Sequence, residues 1–202
     1  MRGLIQILLI SLLSPPLQAQ QSDPEWPCIQ VLVPKIVIAV VWPQPVDPAE
    51  VGDWQNDAAL VEIATRLSEI ETLGEAERRL IADFAEAVAP AARGERLNKL
   101  AYGIVALSNQ RRDRYIRGIK AYTRQQISIA KQIEASLNRL AELDANPEAE
   151  NAGNRAEIEE TLHWHQRVYD QREKAIQSLC ERPVELEQTL SSVLRELAIY
   201  LP

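Results

Sequence analysis

The sequence is poor in glycine, histidine and cysteine, and each shortage counts against a class of chemistry. It contains seven Gly, two His and two Cys among 202 residues. It has no glycine-rich phosphate-binding loop, and no hydroxyl residue lies in the glycine elbow of a hydrolase nucleophile. His163 and His165 lie two positions apart, so on a helix they point to nearly opposite sides and cannot chelate one ion. We therefore predict no catalytic residue, no metal site and no cofactor.

The chain also lacks an excess of basic residues. It carries 29 Asp or Glu and 22 Lys or Arg, which gives a formal net charge of −7 at pH 7. An acidic chain does not attract the phosphate backbone of DNA or RNA, so we expect no nucleic-acid partner. The length suits one folded domain with a hydrophobic core of its own.

Residues 1–19 have the order of a secretory signal peptide. A positive charge at Arg2 precedes an apolar run from Leu4 to Leu13, and small or polar residues lead to Ala19. The run is about half of the roughly 20 apolar residues that a membrane-spanning helix needs, which disfavours a permanent anchor. We therefore expect cleavage after Ala19 and a mature protein outside the cytoplasm.

After residue 50 the sequence favours helix, because Ala, Leu, Glu, Gln and Arg are abundant and lose little freedom on a helix. Apolar residues at three-and-four spacing predict one helix over 53–70. A second, with Leu80, Phe84 and Val88 on its stripe, is expected to end at the break over 90–94. These two helices are expected to form a short helical hairpin.

No proline occurs between Glu95 and Leu143, and the apolar stripe continues almost throughout. This predicts one helix of about 70 Å, or two nearly collinear helices joined near Gly103 or Gly118. A turn over 144–154 then leads to a return helix over 155–201, which either kinks or restarts at Pro183. The fold class is therefore all-α: a long antiparallel, coiled-coil-like helical hairpin with the short hairpin packed on it, in a single helical-bundle domain over 49–202.

Residues 20–48 differ from the rest, because six prolines punctuate a β-branched stretch. We expect an extended N-terminal arm lying in a groove between helices, since the run 36–42 is apolar on both faces and needs cover. An alternative is that the arm adds a strand to a partner's sheet. Cys28 and Cys180 lie 152 positions apart, and in an exported chain they are predicted to form a disulfide. It would stabilise the fold by about 4 to 5 kcal/mol in the chain-entropy model.

Charge is unevenly distributed along the helical part. Residues 93–139 hold eleven Lys or Arg against three acids, while the segments on both sides are acidic. One interpretation is that these faces pair within the chain; the other is a surface that binds anionic ligands, membranes or envelope polymers. The candidate anion-binding residues are Arg111, Arg114, Arg117, Lys120, Arg124 and Arg172.

Arg111 and Arg172 stand where the apolar stripe expects an apolar side chain. Buried arginines must be paired, so we expect a polar layer with nearby acids, such as Asp113, Asp170 or Glu173. A remote alternative is a small periplasmic enzyme centred on His165, Tyr169 and Arg172. Trp26 and Trp42, each followed by proline, are interpreted as hydrophobic clasps or as anchors of an interface.

The run from Asp23 to Gln30, D-P-E-W-P-C-I-Q, followed by Val33-Pro34 and Val41-Trp42, resembles the opening of a group of uncharacterised secreted proteins from alphaproteobacteria. The resemblance covers about thirty residues. It implies a Gram-negative periplasm and no particular chemistry. With these features together, we expect a non-catalytic accessory protein that engages another envelope protein, with homodimerisation of the long hairpin left open.

Overall fold

A computed structural model describes residues 23–145 and 152–202. Within these residues the protein is all-α and has no β-strand, as predicted. The predicted signal peptide lies outside the described residues, and so do residues 146–151 of the turn predicted over 144–154, whose other residues belong to α5 and α6. The elements are α1 (Ile38–Val41), α2 (Pro48–Val51), a 3₁₀ turn (Trp54–Asn56), α3 (Ala58–Glu69), α4 (Glu75–Ala87), α5 (Pro90–Ala145) and α6 (Ala152–Ala198).

The long antiparallel hairpin predicted from the sequence is formed by α5 and α6. The 56 residues of α5 form one continuous helix of about 84 Å, at 1.5 Å per residue. It begins at Pro90, so the predicted break over 90–94 is wrong. Proline suits the first position of a helix, because the N–H that it lacks would have no partner there. The return helix α6 runs through Pro183, which is buried, without restarting.

Helices α3 and α4 pack on different helices of the long hairpin. Helix α3 packs mainly against α5, and α4 packs mainly against α6. The predicted helix over 53–70 is divided at Asp57, whose side chain accepts hydrogen bonds from the N–H groups of Ala59 and Leu60, both at 3.1 Å, and so caps α3. Asp57 also pairs with Arg96 of α5, which fixes the start of α3 on the hairpin.

The hydrophobic core lies at the end of the hairpin where α3, α4 and the arm cover it. Its most deeply buried side chains come from α3, α4, α5 and α6: Leu60, Leu67, Ile81, Leu97, Leu100, Ile104, Val193, Leu194 and Leu197. We call this end the base of the hairpin. Trp54 of the 3₁₀ turn is also buried there, and its ring lies against Gly103.

Gly103 is therefore a packing position and not the joint between two helices that the sequence suggested. A Cβ atom at residue 103 would lie 2.8 Å from Cε3 of Trp54, which is closer than carbon atoms approach without displacement. Gly118, the other candidate joint, has open space around it. Neither glycine interrupts α5.

The arm is not extended throughout, which corrects the prediction for residues 20–48. Pro34 and Pro43 leave eight residues between them without proline, and four of these form α1. Its N–H and C=O groups close one turn, with the N–H of Trp42 bonded to the carbonyl of Ile38 at 2.9 Å. The turn places Ile38 and Val41 against the core and buries Trp42.

Candidate functional site

A disulfide between Cys28 and Cys180 fixes the arm to α6, as predicted, with 5.6 Å between the two Cα atoms. The attachment lies one turn before Pro183, where the helix lacks one backbone N–H. In the same turn the carbonyl of Cys180 accepts a hydrogen bond from Nε2 of Gln30, at 2.7 Å. The arm is thus attached covalently and by a hydrogen bond at the proline-containing turn of α6.

Two ion pairs connect the start of the arm to the basic face of α5. Oδ2 of Asp23 lies 2.6 Å from Nζ of Lys120, and Oε2 of Glu25 lies 2.7 Å from a guanidinium nitrogen of Arg124. The hydrogen bond from Lys120 holds the pKa of Asp23 below its ordinary value, with help from the N–H of Glu25. Two of the candidate anion-binding residues are thus occupied by the arm's own carboxylates.

Arg112 is the buried arginine of the long helix, with only 4% of its surface exposed. Its Nε donates to Oε1 of Glu187 at 2.6 Å, and a terminal nitrogen donates to the carbonyls of Val33 and Pro34. This single side chain therefore connects α5, α6 and the middle of the arm. Such pairing is what a buried guanidinium requires.

Two further polar contacts hold the second half of the arm. Asn109 accepts a hydrogen bond from the N–H of Ile36 at 2.8 Å and donates one to its carbonyl at 2.9 Å, as a neighbouring strand would. Nε1 of Trp42 donates to Asn98 at 2.8 Å. Trp42 is thus a clasp buried within the chain. Trp26 is half-buried and donates to the carbonyl of Gln30 at 2.8 Å.

The outward face of the arm is apolar and exposed. Five large aliphatic side chains on it are between 50% and 103% exposed: Ile29, Val31, Val33, Val37 and Val40. Only one side of the apolar run 36–42 is therefore covered, whereas the sequence led us to expect cover for both. We call these five residues the arm face.

The arginines predicted to form a polar layer do not meet the expected acids. Arg111 donates to the carbonyls of Ser68, Glu69 and Ile70, at 3.2, 2.9 and 3.5 Å, and so caps the C-terminal end of α3. Arg172 donates to Gln125 and Gln126 of α5, and its guanidinium lies 3.9 Å from the ring centroid of Tyr122. These two arginines bond to different parts of the molecule.

Of the two remaining candidate anion-binding residues, one is paired and one is not. Arg117 bonds to Asp113, its neighbour one turn earlier. Arg114 is exposed and has no ion-pair partner within residues 23–145 and 152–202. These contacts, with those of Lys120 and Arg124, favour the interpretation that the basic face pairs within the chain.

The residues of the enzyme alternative do not share a cleft with Arg111. The pocket that contains Arg111 has a volume of about 350 Å³ and is lined by Tyr115 and Arg182, but not by His165, Tyr169 or Arg172. His163 is exposed; His165 is half-buried, and its buried Nδ1 has no hydrogen-bond partner. In the described part of the chain, no group of three or more His, Cys, Asp or Glu is placed to hold a metal ion.

Sequence periodicity missed Arg112 because the seam of α5 changes phase. In a regular seam, successive buried positions are three and four residues apart in alternation. Here Ile104, Ser108, Arg112 and Ile116 are buried, so three successive intervals are each four residues long. This is a stutter, and it moves the seam by one residue relative to the predicted stripe. Ser108, Arg112, Ile116 and Thr123 are buried, whereas the residues just before them, Leu107, Arg111, Tyr115 and Tyr122, which lie on the apolar stripe of the sequence, are only half-buried.

None of the helices in the described residues has an apolar stretch that could cross a membrane. Comparisons with family models, with curated protein sequences and with solved structures found no match for this chain.

Proposed function

We propose that this protein is an exported, non-catalytic accessory protein of the cell envelope that binds another envelope protein through its arm. The arm face carries this proposal. Exposed aliphatic side chains that are concentrated in one short segment are uncommon on a soluble monomer and are typical of interaction surfaces. Five of the ten large hydrophobic residues that are exposed in the described chain belong to this one short segment, while the other five are scattered over α5, α6 and the residue after α6.

The arm is held in place before any partner arrives. The disulfide, the bonds of Arg112 and Asn109, and the buried ring of Trp42 attach it at four positions along its length. A segment that is already ordered loses less conformational entropy on binding, so more of the contact energy contributes to affinity. This attachment supports a binding role for the arm face rather than a purely structural one.

The proposal can be tested by purifying the tagged protein from native periplasm after mild crosslinking and identifying associated proteins by mass spectrometry. A variant with Val31→Ser and Val40→Ser removes two exposed aliphatic groups without touching the core. Ile199→Ser is the matched control, since Ile199 is also exposed, at 69%, but lies at the end of α6.

We expect one recurrent partner with the wild type and with Ile199→Ser, and its loss with the arm variant. Recovery of the protein alone, repeatedly and after crosslinking, would contradict the proposal. Retention of the partner by the arm variant would show that the arm face is not the binding surface. Recovery in the cytoplasmic fraction with both thiols reduced would contradict export.

A further inference from the structure

A groove runs along α6 beside the attachment point of the arm. It has a volume of about 700 Å³, within the range of roughly 300 to 1,000 Å³ typical of ligand pockets. Ile176, Val184 and the Cys28–Cys180 disulfide supply its apolar surface, and Ile29 of the arm face stands at its edge. The groove is therefore continuous with the surface proposed to bind a partner.

The polar rim of this groove is acidic. Glu173, Glu181 and Glu185 line it, and none of its twelve lining residues is basic. Glu173 and Glu181 have no ion-pair partner within the described chain. Glu185 lies 3.7 Å from Arg182, but both side chains are more than half exposed, so this pair neutralises little.

The groove residues on α6 form two parallel rows. The apolar row consists of Ile176, Cys180 and Val184, which are four residues apart. The second row has the same spacing and consists of Glu173, Gln177, Glu181 and Glu185, that is, three carboxylates and one amide. Side chains four apart on a helix stand about 6 Å from one another on the same face. At about 1.5 Å per residue, the apolar row is about 12 Å long and the carboxylate row beside it about 18 Å.

We propose that this groove binds a basic amphipathic helix of the partner protein. A helix with aliphatic residues four apart, flanked by Lys or Arg, matches the apolar row with one face and the carboxylates with its edge. Charge complementarity selects this occupant, because the unpaired carboxylates repel acidic helices and anionic lipid surfaces. The inference rests on the proposed function and names the chemistry of its partner.

A synthetic peptide serves as the probe: a helix of about eighteen residues with a leucine stripe and flanking lysines. Its affinity for the full protein is measured by fluorescence anisotropy at low and high salt. A second peptide with every lysine replaced by glutamate is the control ligand. We expect binding of the lysine peptide that weakens with salt, and no binding of the glutamate peptide.

The decisive comparison uses two variants with the same change in net charge. The groove variant carries Glu173→Gln, Glu181→Gln and Glu185→Gln; the control variant carries Glu62→Gln, Glu157→Gln and Glu160→Gln, all at exposed sites elsewhere. Loss of three exposed ion pairs predicts binding about tenfold weaker for the groove variant. The control variant should bind within about twofold of the wild type.

Equal affinities for the two variants would overturn the groove proposal, and so would absence of binding to the wild type. Val184→Ser tests the apolar row independently and should also weaken binding. The two proposals fail separately. If the peptide does not bind, or binds the groove variant and the wild type equally, while the variant with Val31→Ser and Val40→Ser still loses the native partner, only the groove proposal fails. If the peptide binds the groove but no native partner is recovered, only the proposed function fails.

Discussion

The two ends of the long hairpin are built differently. At the base, α3, α4 and the arm cover α5 and α6, and residues such as Leu100 and Leu197 have no exposed surface. Toward the far end the side chains of the two helices are more exposed: no residue of α5 from Ile127 to Ala145 is buried. On α6, Leu162 is the one buried residue between 154 and 169, the part that lies beyond the hydrogen bond from Gln126 to the carbonyl of Tyr169. We call this part the distal hairpin.

The difference shows where the stability and the proposed interaction surfaces lie. Local stability depends on the number of buried apolar contacts, so the base should open only on global unfolding and the distal hairpin should open more readily. The arm face, the groove and the disulfide all lie outside the distal hairpin, on the side of the base. The surfaces proposed to bind therefore lie outside the part of the hairpin that should open most readily.

The largest expected effect comes from removing the disulfide. Cys28→Ser with Cys180→Ser should lower stability by up to about 4 to 5 kcal/mol, because the unfolded chain regains the freedom of a long loop. Limited proteolysis should then cut the arm before the helices melt. The cuts should fall before Ile36, since Asn109 and the buried Trp42 still hold residues 36–42 on the hairpin. Simultaneous loss of arm and helices in proteolysis and circular dichroism would contradict this division.

A pair of leucines compares the two ends directly. Leu100→Ala at the base should cost about 3 kcal/mol, the usual loss for a fully buried leucine. Leu140→Ala in the distal hairpin, where the side chain is half-buried, should cost about 1 kcal/mol. Urea denaturation of both variants measures the two values. Equal losses would show that the distal hairpin is packed as firmly as the base.

Two neighbouring arginines of α5 test the attachment of the arm's middle section. Arg112→Ala should lower stability by about 2 to 3 kcal/mol, because hydrogen bonds to Glu187 and to the arm are lost together. Arg114→Ala, at an exposed site, should change stability by less than about 0.5 kcal/mol. Thermal denaturation of both variants checks the contrast. A small effect of Arg112→Ala would mean that its contacts contribute little.

The smallest effect is expected from the two glycines of α5, and its sign differs between them. Gly118→Ala should stabilise the protein by about 0.5 to 1 kcal/mol, because alanine favours the helix and the added Cβ meets open space. Gly103→Ala gains the same propensity but must displace the ring of Trp54, so it should destabilise by about 1 kcal/mol or more. Stabilisation by Gly103→Ala would show that the ring moves freely.

The sequence predicted the architecture because its signals were long and consistent. The absence of proline over 95–143, the apolar stripe and the matching return helix specified the hairpin. The two cysteines, in a chain predicted to be exported, specified the disulfide. Single-residue details were less accessible. The sequence predicts a break at Pro90, although proline also starts helices, and it gives no signal for α1 because one helical turn has no periodicity.

The candidate site was predictable only in part, since a shift of one residue decides which arginine is buried. The apolar stripe predicts Arg111 in the seam, whereas Arg112 is the arginine that is buried there. Exposure of the arm face depends on how the arm lies over α5, which apolar composition alone does not specify. The acidic groove combines residues more than 140 positions apart, so no local pattern indicates it.

The most direct test of the account uses a photo-crosslinking amino acid at position 31 of the arm or at position 137 of the distal hairpin. Val31 and Leu137 are 71% and 49% exposed, so neither replacement disturbs the core. Irradiation of intact cells should give one discrete heavier product from position 31 and none from position 137. No product from position 31, or an equal product from position 137, would contradict the claim that this protein binds its partner through the arm.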